Sequence, residues 1–487
     1  MLRKIRTILA AVFFVLITLL FLDFTGTFHQ WLGWMAKVQF LPAVMALNVV
    51  VVVVLIGLTL VFGRIYCSVI CPLGVFQDLL ARFRWKKNKY NYSKEVKWLR
   101  YPMLVVFVIA GAAGVGSLFQ LLAPYSAYGR IATMIFQPIW KAGNNLLAMA
   151  AEHYESYAFY TIDTWMRSLP VFIIATVTLV VLFVLAWRGG RTYCNTICPV
   201  GTILSFFARF SWMKIRFDED KCKNCSLCSK NCKAACIDFK TRTVDYSRCV
   251  VCGNCIDSCK FDALKYSVAS EGQKKTSVDS SKRSFLVASA LVSTAAMAQK
   301  KEKLMDGGLA DIEDKVAPER QTPLTPPGSL SFQNLATRCT GCQLCVSECP
   351  NQVLRPSSDL MHLMQPTMSY EHGYCRPECT RCSEVCPAGA IVKVDLPEKT
   401  SIQIGHAVWI KKNCVVLTDE VECGNCARHC PSGAIEMVPL DASNEESPMV
   451  PAINEAACIG CGACEYVCPS RPFSAIYVEG HEVHKKI

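Results

Sequence analysis

Histidine and charge are both scarce in this sequence. Of its 487 residues only eight are histidine and 18% are charged, whereas 52% are hydrophobic. The first 215 residues contain only His29 and His153, outside the long apolar runs, so a ladder of haems across a bilayer would lack ligands. No nucleotide-binding fingerprint or nucleophile–base pair stands out. The apolar excess excludes a chain that is soluble throughout.

Four apolar runs in the first 200 residues are each close to the ~20 residues that cross a bilayer. They lie at 5–22, 43–62, 103–122 and 171–187. We therefore predict an α-helical membrane domain with four spans. The stretch 131–151 is apolar but interrupted by polar residues, and we expect it to form an interfacial or outer-face helix.

The chain carries a formal net charge of +12. Lysine and arginine crowd the stretch 82–100, between the second and third apolar runs, and the positive-inside rule places this stretch and the N-terminus in the cytoplasm. The basic residues form no cluster with a base-reading motif, so we expect a membrane and no nucleic acid as partner. The predicted location is a bacterial inner (cytoplasmic) membrane.

Cysteine is abundant, with 29 residues, of which 24 fall into six sets of four. Four of the sets read C-x2-C-x2-C-x3-C. The sets are Cys222, Cys225, Cys228 and Cys232; Cys249, Cys252, Cys255 and Cys259; Cys339, Cys342, Cys345 and Cys349; Cys375, Cys379, Cys382 and Cys386; Cys414, Cys423, Cys426 and Cys430; and Cys458, Cys461, Cys464 and Cys468.

This spacing is typical of iron–sulfur ligands. Three thiolates two residues apart wrap a loop around one face of a cubane, and the fourth, often before proline, normally ligates the other cluster of a pair. A tetrahedral zinc site requires two C-x2-C hooks separated by a longer spacer, and a disulfide framework does not predict six repeats of one spacing. The sequence predicts six [4Fe–4S] clusters, with these 24 cysteines as ligands of the iron.

Cys236 belongs to none of these sets. It occupies the position where other sets have an alanine before a branched or leucine residue, as at Ala263 and Ala434. We interpret Cys236 as a small buried residue and not as a ligand.

The remaining four cysteines form two C-x3-C-P pairs, each just after a predicted span: Cys67, Cys71, Cys194 and Cys198. The flanks of the pairs also match, with Arg64 corresponding to Arg191, which indicates an internal duplication. Two such turns related by a pseudo-two-fold axis could bring four sulfurs together as a redox or metal site. The alternative is that each proline begins a helix and the cysteines are packing residues.

A change of composition marks the segment 271–330. Lys282-Arg283, fourteen apolar residues from 285 to 298 and the ending Ala296-Met297-Ala298 resemble a twin-arginine export signal with lysine in place of the first arginine. Prolines at 323, 326 and 327 then predict a stiff linker. Export would place the following domain in the periplasm, and the alternative is a hinge within a cytoplasmic protein.

Positions 1–270 resemble the NapH/MauN-type membrane ferredoxins in their four predicted spans, two C-x3-C-P motifs and two cysteine sets. Positions 281–487 resemble the NapG/MauM-type exported ferredoxins in the twin-arginine-like start, the four sets and the ending Cys468-Pro469-Ser470-Arg471-Pro472. The chain departs from both because they are fused, and because lysine follows Cys232 and Cys259 where these families have proline.

The resemblance implies a quinol dehydrogenase-type electron-transfer component, which passes electrons from menaquinol or ubiquinol to an extracytoplasmic reductase or redox protein. We expect a four-span membrane domain at 1–215, a cytoplasmic two-cluster domain at 216–270, an export-type segment and linker at 271–330, and a four-cluster, periplasmic domain at 331–487. Both cluster domains would have the α+β bacterial ferredoxin-like fold. A second hypothesis is a metal-redox or maturation factor for a copper or other metalloenzyme.

Overall fold

The computed structural model describes residues 2–83, 90–156, 158–268, 315–444 and 447–487. The export-type segment at 281–298 lies outside these residues. The described part of the first 210 residues is helical. Its α-helices are α1 Leu2–Leu22, α2 Thr27–Leu32, α3 Trp34–Lys37, α4 Phe40–Met45, α5 Val49–Phe62, α6 Tyr66–Val69, α7 Pro72–Leu80, α8 Lys97–Ala112, α9 Gly116–Leu122, α10 Pro124–Ile131, α11 Gln137–His153, α12 Leu169–Gly189, α13 Thr192–Thr196 and α14 Pro199–Ala208.

Two of the described helices, α1 and α12, are long and apolar enough to cross a bilayer, at 21 residues each. The second predicted span is broken, because Asn48 caps α5, accepting a hydrogen bond from Val51 N, and leaves a helix of 14 residues. The third is divided between α8 and α9 by a turn at Gly114, which has a φ of +72°. Of the four predicted spans, two are therefore single helices of sufficient length and two are broken runs, and the prediction of four spans is not confirmed.

The predicted helix at 131–151 is the second half of a longer helical run. α10 is buried along its whole length and continues through a π-helical turn, Ala132–Phe136, into α11. Large apolar side chains of α11, such as Ile139 and Leu146, are exposed. The run therefore enters the helical core at its first half and presents an apolar surface at its second.

The first cysteine-rich part, here called the two-set unit (213–268), is small, and its first and last strands pair with each other. β1 pairs antiparallel with β4, with Ile215 opposite Tyr266, and β2 pairs antiparallel with β3. Its elements are β1 Met213–Phe217, α15 Leu227–Lys230, β2 Ile237–Asp238, β3 Thr243–Val244, α16 Asn254–Asp257 and β4 Leu264–Val268.

The second cysteine-rich part, here called the four-set unit (315–487), contains three antiparallel strand pairs, β5 with β6, β7 with β10 and β8 with β9. Its elements are α17 Phe332–Arg338, α18 Leu344–Glu348, β5 Leu354–Pro356, β6 Pro366–Met368, α19 Arg381–Val385, α20 Leu396–Ser401, β7 Ile402–Trp409, α21 Val415–Thr418, α22 Asn425–Arg428, β8 Ile435–Pro439, β9 Met449–Ile453, α23 Ala463–Val467 and β10 Ile476–Lys486.

Residues 315–330, which composition assigns to a linker, are packed onto this unit. Leu324 and Ser329 are buried, and Thr322 N donates a hydrogen bond to Glu479 on β10. The unit therefore begins before the predicted boundary at 331.

The two units contact opposite ends of α1. At its start, Arg3 Nη1 lies 3.3 Å from Asp257 Oδ2 of the two-set unit. Just beyond its end, the carbonyl of Thr25 accepts a hydrogen bond from Arg381 of the four-set unit at 2.7 Å. A helix of 21 residues is about 30 Å long. The helical core thus separates the two units by the length of this helix.

Candidate functional site

The structure groups the 24 cysteines of the sets crosswise. Three cysteines of one motif lie with the last cysteine of a neighbouring motif, which is the arrangement expected for paired clusters. The groups are group 1, Cys222, Cys225, Cys228 and Cys259; group 2, Cys249, Cys252, Cys255 and Cys232; group 3, Cys339, Cys342, Cys345 and Cys386; group 4, Cys375, Cys379, Cys382 and Cys349; group 5, Cys414, Cys423, Cys426 and Cys468; and group 6, Cys458, Cys461, Cys464 and Cys430.

Four of the six loops that carry these cysteines share one backbone feature. A residue with positive φ precedes the short helix that contains the third cysteine of the motif, at Ser226, Gly253, Gln343 and Gly462. At Gly462 no side chain would fit, because a Cβ would lie 2.2 Å from the ring of Tyr370. The reversal curls each loop around its cysteines.

Backbone amides also point at the sulfurs. Ala263 N, Ala434 N and Ala475 N lie 3.2 to 3.3 Å from the Sγ atoms of Cys259, Cys430 and Cys468. Burial raises the pKa of the Cys342 thiol to about 11, so an empty site would keep its proton and iron would have to displace it. Four sulfurs with amide donors around one space are a donor set that fits a cubane cluster.

Cys236 is 1% exposed, and its Sγ lies 3.5 Å from the Sγ of Cys232. This burial confirms the prediction that Cys236 is a small buried residue. The sulfur of Cys236 nevertheless contacts a cysteine sulfur of group 2.

The structure brings together the four cysteines of the C-x3-C-P pairs, here called the quartet: Cys67, Cys71, Cys194 and Cys198. Each is 4% exposed, and none of the 29 cysteines forms a disulfide. Burial, and then the neighbouring sulfurs Cys67 and Cys194, raise the pKa of Cys71 far above its usual value. The four sulfurs thus lie within electrostatic range of one another in a buried site.

The two halves hold the quartet by reciprocal contacts. Arg64 Nη2 donates to the carbonyl of Cys194 at 3.1 Å, and Arg191 Nη1 donates to the carbonyl of Cys67. Gly74 and Gly201 are the corresponding close approaches, since a Cβ would lie 2.2 Å from Cys67 O and 2.3 Å from Cys194 O. Each half therefore supports the cysteine turn of the other.

One carboxylate breaks this correspondence. Asp78 lies 2.8 Å from Arg191, 3.1 Å from Arg6 and 3.6 Å from Lys233. Burial alone would raise the pKa of Asp78, but the charges of Arg191 and Lys233 outweigh it and hold the pKa well below the usual range. Composition and motif spacing did not identify Asp78. The corresponding position in the second half carries Ser205, so the duplication does not repeat this carboxylate.

The groups lie in a definite order. In the four-set unit, Cys345 of group 3 neighbours Cys382 of group 4, Cys375 N of group 4 donates to Cys461 O of group 6 at 2.9 Å, and Cys464 of group 6 neighbours Cys426 of group 5. In the two-set unit, Cys255 of group 2 neighbours Cys228 of group 1. Group 2 also neighbours the quartet, because Lys233 is close to both Asp78 and Cys252.

α10 connects the quartet region to group 3. Aromatic rings lead from Phe76, on the helix that follows Cys71, through Tyr128 and Phe21 to Tyr125, with centroids 6.0, 6.1 and 5.7 Å apart. Ser126 Oγ donates to the carbonyl of Gly341, next to Cys342, at 2.9 Å. The helical core is therefore in direct contact with group 3.

Among the described residues, no three His, Cys, Asp or Glu side chains form a group that could hold a single metal ion.

Comparison with known families gives iron–sulfur domains along most of the chain. A 4Fe-4S binding domain matches residues 44–90 and 169–218, which are the two regions that carry the quartet. Two families of 4Fe-4S dicluster domains match residues 338–390 with 421–471, and residues 245–353. Ferredoxin-type [4Fe–4S] domains are thus present beside the two apolar helices.

Among the relatives, an uncharacterized protein of Methanocaldococcus jannaschii, MJ0749, is 24% identical over 52% of this chain and 83% of its own length. The ferredoxin-type protein NapH of Escherichia coli is 24% identical over 46% of this chain and 68% of its own length. The methylamine utilization ferredoxin-type protein MauM of Paracoccus denitrificans is 30% identical over 33% of this chain and 73% of its own length. No solved structure matches.

Proposed function

Because the chain belongs to the ferredoxin-type iron–sulfur proteins that include NapH, NapG and MauM, it is an electron-transfer protein, and we propose that it takes electrons from quinol and delivers them to an extracytoplasmic reductase. The observation that carries this proposal is the order of the cysteine groups. Two rows of groups lie at the two ends of a helical core, and the quartet and the rings of α10 lie between them.

Each of the six groups holds one [4Fe–4S] cluster in this proposal, and a bound cluster takes up and gives up one electron at a time. The protein supplies the thiolates and the amide donors that stabilise them. Group 5 is the far end of the row in the four-set unit, with the small cavity at its cysteines lined by Trp409 and Pro469. We assign group 5 as the exit toward the reductase.

The quartet is a buried four-sulfur redox site in this proposal, built by two duplicated halves. The reciprocal arginine contacts support this assignment, since each half completes the other. A role in packing alone would not require Gln77 Nε2 to point at Cys194 Sγ at 3.2 Å, or Arg64 to point at Cys67 Sγ at 3.8 Å. The quartet thus links group 2 to the helical core.

Quinol-dependent reduction tests the proposal directly. Protein purified without oxygen should lose absorbance near the cluster band when a short-chain ubiquinol or menaquinol is added, with the corresponding quinone as control. Reduction by dithionite but not by either quinol would overturn the quinol assignment and leave the protein an electron carrier with another donor.

The number of clusters is tested by composition. Six cubanes on 24 cysteines require 24 iron and 24 acid-labile sulfide per chain, since each cluster contains four of each. Half that iron, or stoichiometric zinc, would contradict the assignment.

A further inference from the structure

A cavity of about 280 Å³ lies between α11, the loop before α12 and the four-set unit. Thr133, Gln137 and Lys141 line it from the helical run. Trp165 and Arg167 line it from the loop. This volume is just below the ~300–1,000 Å³ typical of small-molecule sites, and a single substituted ring would fill it.

One side of the cavity is apolar. Met134, Pro138 and Phe172 contribute to its lining. Beside them, Ile139 follows Pro138 on α11 and Leu169 begins α12, and these two side chains are 66% and 58% exposed. A ligand with a hydrocarbon tail could therefore place its ring in the cavity and its tail along this surface.

The inner wall is polar and includes an unsatisfied group. Thr133 is 3% exposed, and its hydroxyl has no hydrogen-bond partner in the part of the chain that the structure describes. Thr133 belongs to the π-helical turn Ala132–Phe136, a distortion that occurs frequently at functional sites. A buried hydroxyl without a partner costs free energy, and a ligand oxygen would satisfy it.

Two cations line the same space. Lys141 is 8% exposed, and burial, followed by the charge of Arg167, lowers its pKa to about 8, so the ammonium group is still mostly charged at pH 7. The described residues include no carboxylate within ion-pair distance of either side chain. Both can donate hydrogen bonds to ligand oxygens.

Contacts with neighbouring side chains fix the orientation of the Trp165 ring. Its ring stacks on His372 at 4.1 Å with an interplanar angle of 22°, and Arg355 lies over it at 4.4 Å. Its indole nitrogen donates to Gln352, which also lines the cavity. Because His372 and Arg355 cover the two faces of the ring, the edge of Trp165 is what faces the cavity, and an aromatic edge favours contact with the face of a flat ring.

The cavity lies beside the cysteines of groups 3 and 4. Arg167 donates to the carbonyl of Val346, which follows Cys345, and Gln352 is three residues after Cys349. Lys141 and Arg167 are both within electrostatic range of Cys349. A redox-active ligand in the cavity would therefore be next to the row of groups in the four-set unit.

We propose that this cavity binds the ring of a quinol, with its oxygens toward Lys141 and Thr133, its face against the edge of Trp165, and its tail along the apolar surface of α11 and α12. The site rests on the proposed function and gives it a location. The quinol is oxidised to quinone, losing two electrons and two protons. The [4Fe–4S] clusters that groups 4 and 3 would hold would accept the two electrons one at a time, and the two protons leave to water past the exposed carboxylate of Asp163 at the cavity wall.

The test is equilibrium binding, which does not depend on turnover. Decylubiquinone and menadione are titrated into the full-length, cluster-loaded protein in detergent. Lys141→Met should weaken binding about tenfold, and Thr133→Val, which loses one hydrogen bond, about fivefold. Trp165→Phe should also weaken binding. Trp140→Phe, one residue from Lys141 but on the exposed side of α11, is the matched control and should bind as the wild type does.

Thr133→Val separates binding from folding. Because the hydroxyl has no partner in the protein, its loss should leave the melting temperature unchanged or higher, whereas binding weakens. Wild-type binding that Thr133→Val and Lys141→Met leave unchanged, at normal iron content, would overturn the site and leave the proposed function standing. A wild-type protein that binds neither quinone and is not reduced by either quinol would overturn both.

Discussion

A single carboxylate, Asp78, joins three parts of the molecule. It pairs with Arg6 of α1, with Arg191 before α13 and with Lys233 of the two-set unit. Since removal of one member of a buried ion pair leaves the others uncompensated, its loss is more damaging than that of a surface pair. Asp78 therefore fixes the two-set unit against the quartet.

Asp78→Asn should lower the free energy of unfolding by about 3–5 kcal/mol. Asp257→Asn, which breaks the exposed pair with Arg3, should cost at most about 1 kcal/mol. Thermal unfolding of the two variants in the same detergent measures the difference. Equal losses would mean that Arg6, Arg191 and Lys233 find other partners, and that Asp78 does not hold the units together.

Cys71→Ser and Cys198→Ser test the redox role of the quartet. Both should stop quinol-linked reduction of groups 1 and 2, because the quartet lies between group 2 and the helical core, while all six clusters still assemble and groups 3 to 6 are still reduced. Low-temperature EPR during quinol titration, with iron content as control, distinguishes the two sets. Normal reduction of all groups in both variants would show that the quartet consists of packing residues.

Part of this site was predictable from residues alone. The repeated C-x3-C-P flanks led us to expect that the four sulfurs could lie together, and Arg64 and Arg191 were visible as a matched pair. Asp78 was not found, because a lone acidic residue in a helical stretch has many explanations. Thr133, Lys141 and Trp165 were not found either, because no motif joins positions that meet only when α11, a loop and the four-set unit pack together.

At the scale of elements, hydropathy predicted where apolar segments lie but not where helices break. An average over about 20 residues does not detect an Asn48 cap or a turn at Gly114, because the flanking valines and alanines dominate it. The strand pairs of both cysteine-rich units, in contrast, fit the expected α+β ferredoxin-type pattern. Short elements tied to cysteine motifs were therefore more predictable than the long helices.

The close approaches at the quartet give a prediction for helices α7 and α14. Gly74→Ala and Gly201→Ala should each destabilise the protein, because the added methyl group would meet a backbone carbonyl at 2.2 or 2.3 Å and the backbone cannot move aside as a side chain can. Gly57→Ala in α5 has no atom within 4 Å and should be neutral or stabilising. Melting temperatures of the three variants test this, and an unaffected Gly74→Ala would contradict the tight packing.

At the scale of the whole molecule, α5, α8 and α9 also contact the two cysteine-rich units. The end of α5 accepts a hydrogen bond from Tyr266 of the two-set unit through Phe62 O, and Arg100 at the start of α8 donates to Ser247 O. At the other side, Gln120 of α9 donates to Cys339 O of the four-set unit. The run from α8 to α9 therefore extends from the two-set unit to the four-set unit, as α1 does.

This arrangement predicts sidedness if the helical core lies in a bilayer. α1 is about as long as the ~30 Å hydrocarbon layer is thick, and its basic start, at Arg3, Lys4 and Arg6, belongs in the cytoplasm by the positive-inside rule. The two-set unit would then be cytoplasmic and the four-set unit would be on the opposite side.

Protease added to spheroplasts should remove the four-set unit and leave the two-set unit intact, and inverted vesicles should show the reverse. Replacing both Lys282 and Arg283 should protect the four-set unit in spheroplasts if the segment at 281–298 directs export. Detergent-permeabilised cells, in which both units are cleaved, provide the control. If both units are protected in spheroplasts and both are cleaved in inverted vesicles, they share the cytoplasmic side, and the helical core does not separate them across a membrane.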